Sequence, residues 1–215
     1  MMFIVKEKNM KEKVVNNVMV RINNNYDFDD IKLEEIKYGL YGIYSLVTKI
    51  SVVIIISYIL NFGNNFLLFL LFYCLLRCFG FGTHAKTNFQ CWCFTTILLI
   101  SFPYIFLKLN INLFEKNILW SIFFINLIIF CPADTEKRPM INKKRKIIFK
   151  LIIFNICIIY LFLINKFSNI SSIVLSSMAL ESLLVNPLGY ILMGQKIRFN
   201  LNDIYLFKQK KEGGK

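Results

Sequence analysis

The amino-acid sequence predicts an all-α, polytopic membrane protein with about six transmembrane helices and an N-terminal amphipathic helical segment. Three observations predict it. Apolar residues make up 56 % of the 215, Phe alone contributing 22, and the mean hydropathy is +0.55. A soluble chain of this length has no interior large enough to hide so much apolar surface. The apolar residues gather in six runs, and the basic residues gather between them, mostly in alternate connections.

The first 42 residues form the amphipathic segment. Val14, Val15, Val18 and Ile22 recur at helical spacing. The run "NNNYDFDD" then breaks the pattern, and Asp29 or Asp30 supplies an N-cap before Ile31. Ile31, Leu33, Ile36 and Leu40 make the apolar face of a second short helix. Two such helices suit a membrane surface, or a platform for a peptide partner. This charged start has no apolar run of the signal-peptide kind, so no cleavable leader is expected.

Residues 43–195 carry the spans, roughly Tyr44–Phe62, Phe66–Phe81, Cys91–Leu109, Ile118–Pro132, Ile147–Ile164 and Ile170–Met193. Residues 196–215 form a basic tail. Of the 26 Lys and Arg, only Lys108, Lys116 and Lys166 fall on one side of this topology. The positive-inside rule therefore puts both termini, and the connection between the second and third spans, in the cytoplasm. The formal net charge of +13 attracts anionic lipid or an acidic partner. It lies beside no nucleic-acid recognition motif, so nucleic acid is not an expected partner. The six cysteines lie in spans or near the cytoplasmic face, where thiols stay reduced, and Cys74, Cys131 and Cys157 read as apolar filler.

The stretch "RCFGFGTHAKTNFQCWC", Arg77 to Cys93, interrupts the apolar pattern and holds the one histidine, His84. His84 and Cys91 have the chemistry of a base and a nucleophile, since a nearby imidazole raises the thiolate fraction of a thiol. On one straight helix they would share a face, but about 10.5 Å apart along the axis. Proton transfer needs about 3 Å. If they act together, the chain between them must bend. Gly80 and Gly82 permit a turn, and Thr87 or Asn88 can cap the next helix. Cys91 then falls in its first turn, where the helix dipole favours a thiolate and free N–H groups can hold an oxyanion. Cys93 faces away by about 200°. Two other readings stay open on these residues. Cys74, Cys78, His84, Cys91 and Cys93 are a soft ligand set for Zn or Cu(I), though without a C-x-x-C pair. Purely structural roles are the other.

Arg77, Gly82, His84 and Cys91, at a cytoplasmic break in a small basic membrane protein, resemble the accessory gene regulator B family. These are membrane cysteine endopeptidases of Gram-positive quorum sensing. "CPADTEKRPMINKKRK", Cys131 to Lys146, is similar to that family's Pro-Ala-Asp loop and following basic run. The resemblance implies a bacterial cell-membrane enzyme whose active site faces the cytoplasm. Cys91 would cleave the charged C-terminal tail from a small precursor peptide and hold the remainder as a thioester. An internal Cys or Ser of that peptide would then close a thiolactone or lactone ring, yielding an autoinducing peptide. His84 would be the base and then the acid. No cofactor and no metal is implied. The expected partners are a precursor propeptide, membrane lipid and, in a homodimer, a second copy of the chain.

Supporting residues are expected from their chemistry. Arg77 is either a snorkelling interface arginine or a clamp for substrate carbonyls or carboxylate. Glu181, a carboxylate inside the last span, either orients His84 or pairs with Arg77, because its burial is costly. Lys143, Lys144, Arg145 and Lys146 are expected to draw in an acidic precursor tail. The alternative function is a non-enzymatic transporter or metal-handling protein built on the Cys/His cluster.

Overall fold

A computed structural model describes residues 2–26, 28–83, 88–133 and 143–194. Among these the chain forms eight helices and no strand: α1 (Met2–Asn25), α2 (Asp30–Ile59), α3 (Gly63–Gly80), α4 (Asn88–Lys108), α5 (Leu113–Phe130), α6 (Lys143–Lys166), α7 (Ser168–Val185) and α8 (Pro187–Leu192). Six are long and apolar enough to cross a membrane, namely α2 to α7. The chain is an all-α, multi-pass membrane protein with an N-terminal helix outside the spans.

The chain divides into two compact units, Met1–Ile55 and Ile56–Lys215. In the first, α1 exposes Met10, Val14 and Val20 while Val15 is buried. Asp29 caps α2: its carbonyl accepts from the Leu33 amide at 3.0 Å, and its side chain accepts from the Asp30 amide at 2.9 Å. The second short helix expected here does not stand alone. It runs without a break into the first span, giving one helix of 30 residues. Nothing between Leu40 and Tyr44 terminates it. Gly39 and Gly42 stand in open space, and a helix interior tolerates glycine at modest cost.

In the second unit α7 is the central helix, packed against α3, α4, α5 and α6. Nearly its whole length is buried, whereas the other spans mostly face outward. Its composition explains the position. Ser171, Ser172, Ser176, Ser177, Ala179 and Ser182 are small, so neighbouring helices approach closely. The buried hydroxyls do not go unsatisfied. Ser176 and Ser177 each donate to the carbonyl three residues back, at 2.7 Å. The last span was expected to run to Met193, but Pro187 ends it. Asn186 leaves helical geometry and caps the short α8, its side-chain oxygen accepting from the Leu188 amide at 3.2 Å.

Polar contacts fasten the ends of this bundle. At one end Lys116 of α5 donates to Ser171 of α7 at 2.6 Å, and Asn117 of α5 bonds Asn165 of α6 at 3.1 Å. At the opposite end Thr83, after α3, bonds Leu184 of α7, and Ala133, after α5, bonds Gly80 of α3; the candidate site lies there.

Candidate functional site

The break expected between Gly80 and Asn88 is present. α3 ends at Gly80, α4 begins at Asn88, and no helix runs from Leu76 to Cys93. The turn differs from the one the glycines suggest. Gly80 stays helical, and positive φ falls on Phe81, with φ 65° and ψ −39°, as well as on Gly82. The Gly82 amide donates to the Gly80 carbonyl at 3.0 Å, which closes a γ-turn around Phe81. That turn is uncommon and strained for a side-chain-bearing residue. The reason lies in what touches Gly80. A β-carbon there would press on Glu181 Oε1 and sit 3.4 Å from Cys131 Sγ. Glycine is thus needed in the last helical turn for close approach, and the turn follows one residue later. The Phe81 ring holds it by packing edge-on against Phe149 of α6, with centroids 5.3 Å apart.

Arg77 lies one turn before this point and reaches inward. Its Nη1 is 3.5 Å from Glu181 Oε2, and its Nη2 donates to the Thr83 carbonyl at 2.9 Å. Glu181 is 0 % exposed, and among the described residues its Oε1 accepts no hydrogen bond. Gly82, with φ +39°, sits beneath the guanidinium, where a β-carbon would overlap Arg77 Nη1. Thr83 is 2 % exposed and is fixed to α7 twice: its amide and its hydroxyl both donate to the Leu184 carbonyl, at 3.1 and 3.0 Å. The Gly80 carbonyl also accepts from the Ala133 amide at 2.8 Å. Four connected features therefore meet: the end of α3, the turn after it, the residues after α5, and the end of α7.

His84 follows Thr83 directly in sequence and lies outside the described residues, as do residues 134–142 of the Pro-Ala-Asp stretch and the tail 195–215. Cys91 is in the first turn of α4, partly exposed, with Sγ 3.9 Å from Thr95 Oγ1. Cys93 is partly exposed too, and Cys74 and Cys78 lie on the outer surface of α3. Among the described residues no three His, Cys, Asp or Glu side chains gather as a metal site. Lys144 and Arg145 are exposed at the start of α6.

Cys131, expected from the sequence to be apolar filler, is buried as expected. It lies just past α5, buried against Gly80 and beside Glu181. Burial, with the Glu181 carboxylate adding to it, pushes its thiol well above the ordinary thiol range. A thiol so held is a poor nucleophile. Iodoacetamide at neutral pH should therefore modify Cys131 negligibly in the folded chain and fully after denaturation, as read by peptide mass spectrometry. Rapid labelling of the native protein would show this packing to be wrong. Sequence reasoning missed Thr83. Threonine in a connection carries no signal of its own, and its role appears only once Leu184 is beside it.

The model of the family described as Accessory gene regulator B matches residues 11–185. An AgrB-like protein of Clostridium acetobutylicum is 22 % identical over 196 residues, covering 89 % of this chain and 93 % of that one. The accessory gene regulator protein B of Staphylococcus epidermidis is 30 % identical over 167 residues, 76 % of this chain and 84 % of its own. An AgrB-like protein of Listeria innocua is 25 % identical over 166 residues, with 76 % and 81 % covered. No solved structure matches significantly. With a family match that spans most of its length and includes the α3–α4 break, the chain belongs to the accessory gene regulator B family.

Proposed function

We propose that the chain is a membrane cysteine endopeptidase that matures a small precursor peptide. Family membership supports a role in accessory gene regulator quorum-sensing peptide processing; the proposal adds the chemistry. The observation that carries it is the break between α3 and α4. It sets Cys91 in the first turn of a new helix, and Thr83, the residue before His84 in the sequence, is fixed to α7. A straight helix would have held His84 and Cys91 apart.

The steps follow from ordinary acyl-transfer chemistry. His84 takes the thiol proton as Cys91 Sγ attacks the scissile carbonyl of the precursor. Amide groups at the start of α4 steady the oxyanion. The C–N bond breaks, His84 returns its proton to the departing amine, and the C-terminal tail leaves. The N-terminal part remains as a thioester on Cys91. A thiol or hydroxyl within that peptide then attacks the thioester, the ring closes, and the Cys91 thiol is restored. Thioester and thiolactone are similar in energy, so hydrolysis is the competing loss, and a site at the membrane boundary limits it. No step needs a cofactor.

On this reading the site and both termini face the cytoplasm. In support, the connections carrying Thr83 and Ala133 and the end of α7 meet at the end of the bundle that the positive-inside rule assigns there. The test is direct. Purified chain in nanodiscs, mixed with its precursor, should gain the mass of the N-terminal peptide fragment on Cys91, and hydroxylamine should remove it. Turnover without any such adduct on Cys91, even after rapid quenching, would overturn the mechanism.

The basic run has a role in the same reading. α6 begins at Lys143, so Lys143, Lys144, Arg145 and Lys146 occupy its first turn. That is the positive end of the helix dipole, where cations are mildly destabilising. A stability role does not explain them; topology and capture of an acidic tail do. Each exposed ion pair is worth under about 1 kcal/mol, but several together raise encounter rates. Changing all four to Gln should raise the KM for the precursor and flatten its salt dependence, with little change at saturation. A variant that inserts correctly and keeps the parental KM and salt response would leave the run only its topological role.

A further inference from the structure

We propose that Glu181 and Thr83 are positioning residues that set the His84 connection through Arg77, and that Arg77 is the link between them rather than a substrate clamp. The inference rests on the endopeptidase reading and adds to it a device from the opposite end of the sequence.

The geometry is a closed chain of contacts. Glu181 is buried at the centre of the bundle on α7, and its Oε2 pairs with Arg77 Nη1. The second guanidinium arm, Nη2, takes the carbonyl of Thr83. The amide and hydroxyl of Thr83 both end on the carbonyl of Leu184, three residues past Glu181 on the same helix. Every hydrogen-bonding group of Thr83 except its ability to accept more is thereby used. The segment from the γ-turn at Phe81 to Thr83 is held to one helix from two sides.

Such a hold has a reason. Phe81 stores backbone strain, and strain persists only where the surroundings over-determine the conformation. Without the Thr83 contacts the turn would relax toward a commoner one, and the chain entering His84 would leave in a different direction. A planar guanidinium serves this task better than an ammonium, because its fixed fork reaches a carboxylate and a carbonyl at set angles. Both arms are engaged in the folded chain. That argues against Arg77 as a substrate contact and for a role internal to the site.

The chosen experiment reads the site without needing the precursor. Full-length chain in nanodiscs is treated with iodoacetamide at neutral pH, and the alkylation rates of Cys91 and Cys93 are followed by peptide mass spectrometry. His84→Ala should slow Cys91 about tenfold, through loss of its base, and leave Cys93 unchanged. If Glu181 and Thr83 position that base, Glu181→Gln should slow Cys91 to within about threefold of His84→Ala, again sparing Cys93. Thr83→Val keeps the ion pair and removes only the hydroxyl contact to Leu184. It should slow Cys91 in the same direction by a smaller factor, and it serves if Glu181→Gln does not fold. A general loosening would instead speed both cysteines, and that result overturns the positioning role. If His84→Ala slows Cys91 while both other variants match the parent, the clamp is wrong and the endopeptidase reading stands. If His84→Ala itself has no effect, the His84–Cys91 pairing fails, and the clamp falls with it.

Discussion

Cys91→Ala is expected to abolish precursor processing, and Cys93→Ala to leave it within about threefold of the parent. Removing a nucleophile takes away the covalent step outright. What then remains is binding and the oxyanion donors, a small residue of the total rate. The contrast with Cys93 is what gives the experiment its force. Both thiols are partly exposed, both lie on α4, and they are two residues apart, so general effects on folding or labelling should be alike. They differ in direction: two helical residues turn the side chains about 200° apart. Co-expression of each variant with the precursor, followed on a gel, gives the answer. Full processing by Cys91→Ala would sink the cysteine-peptidase mechanism, and equal loss in both variants would reduce the effect to local packing.

Much of this arrangement can be read in the sequence because membrane insertion writes simple rules. Apolar length gives the spans and basic residues give their alternation, so six helices and their order follow directly. Gly80, Gly82 and the candidate caps Thr87 or Asn88 announce a break, and the break puts Cys91 at a helix start. What the sequence hides is which span is central. Hydropathy treats α7 as one run among six. The signal that could have singled it out is its content of Ser and Ala, since small residues mark close helix contacts in membranes. The Arg77–Glu181 pair spans 104 positions, so no local pattern announces it; the cost of burying a carboxylate made it one of the two expected roles of Glu181, and that one is present. Nor does any pattern place a γ-turn on Phe81 when two glycines stand beside it. Gly82 does take a positive φ, whereas Gly80 stays helical, where its lack of a side chain allows close approach to Glu181 and Cys131. The continuity of α2 and the stop at Pro187 were local matters. The first followed from the lack of any terminator after Leu40, and the second from proline chemistry that was legible in advance.

Gly82→Ala is expected to be strongly damaging. Its effect should be on stability and processing together. Two costs combine. With φ at +39°, a β-carbon meets its own backbone, worth roughly 1–2 kcal/mol. It also overlaps Arg77 Nη1 and lies 2.7 Å from the guanidinium carbon, so the guanidinium has to move. Moving it breaks the contact to Thr83 and strands the Glu181 carboxylate in the bundle interior. Leaving one partner of a buried pair alone costs on the order of 3–5 kcal/mol. At about 1.4 kcal/mol per tenfold, the population holding the native site should fall by well over a hundredfold. Gly80→Ala should also be damaging, because its β-carbon presses on the buried Glu181 carboxylate that pairs with Arg77, but it adds no backbone cost of the kind φ +39° imposes at Gly82. Gly39→Ala and Gly42→Ala provide the opposite sign. Each stands in open space within α2, so each should stabilise by about 0.5–1 kcal/mol through reduced unfolded-state freedom. Thermal unfolding of the purified chain in detergent, alongside a processing assay, checks the ranking. Parental stability and activity in Gly82→Ala would mean that the guanidinium does not lie over this glycine, and the contacts from Arg77 to Thr83 and Glu181 would have to be redrawn.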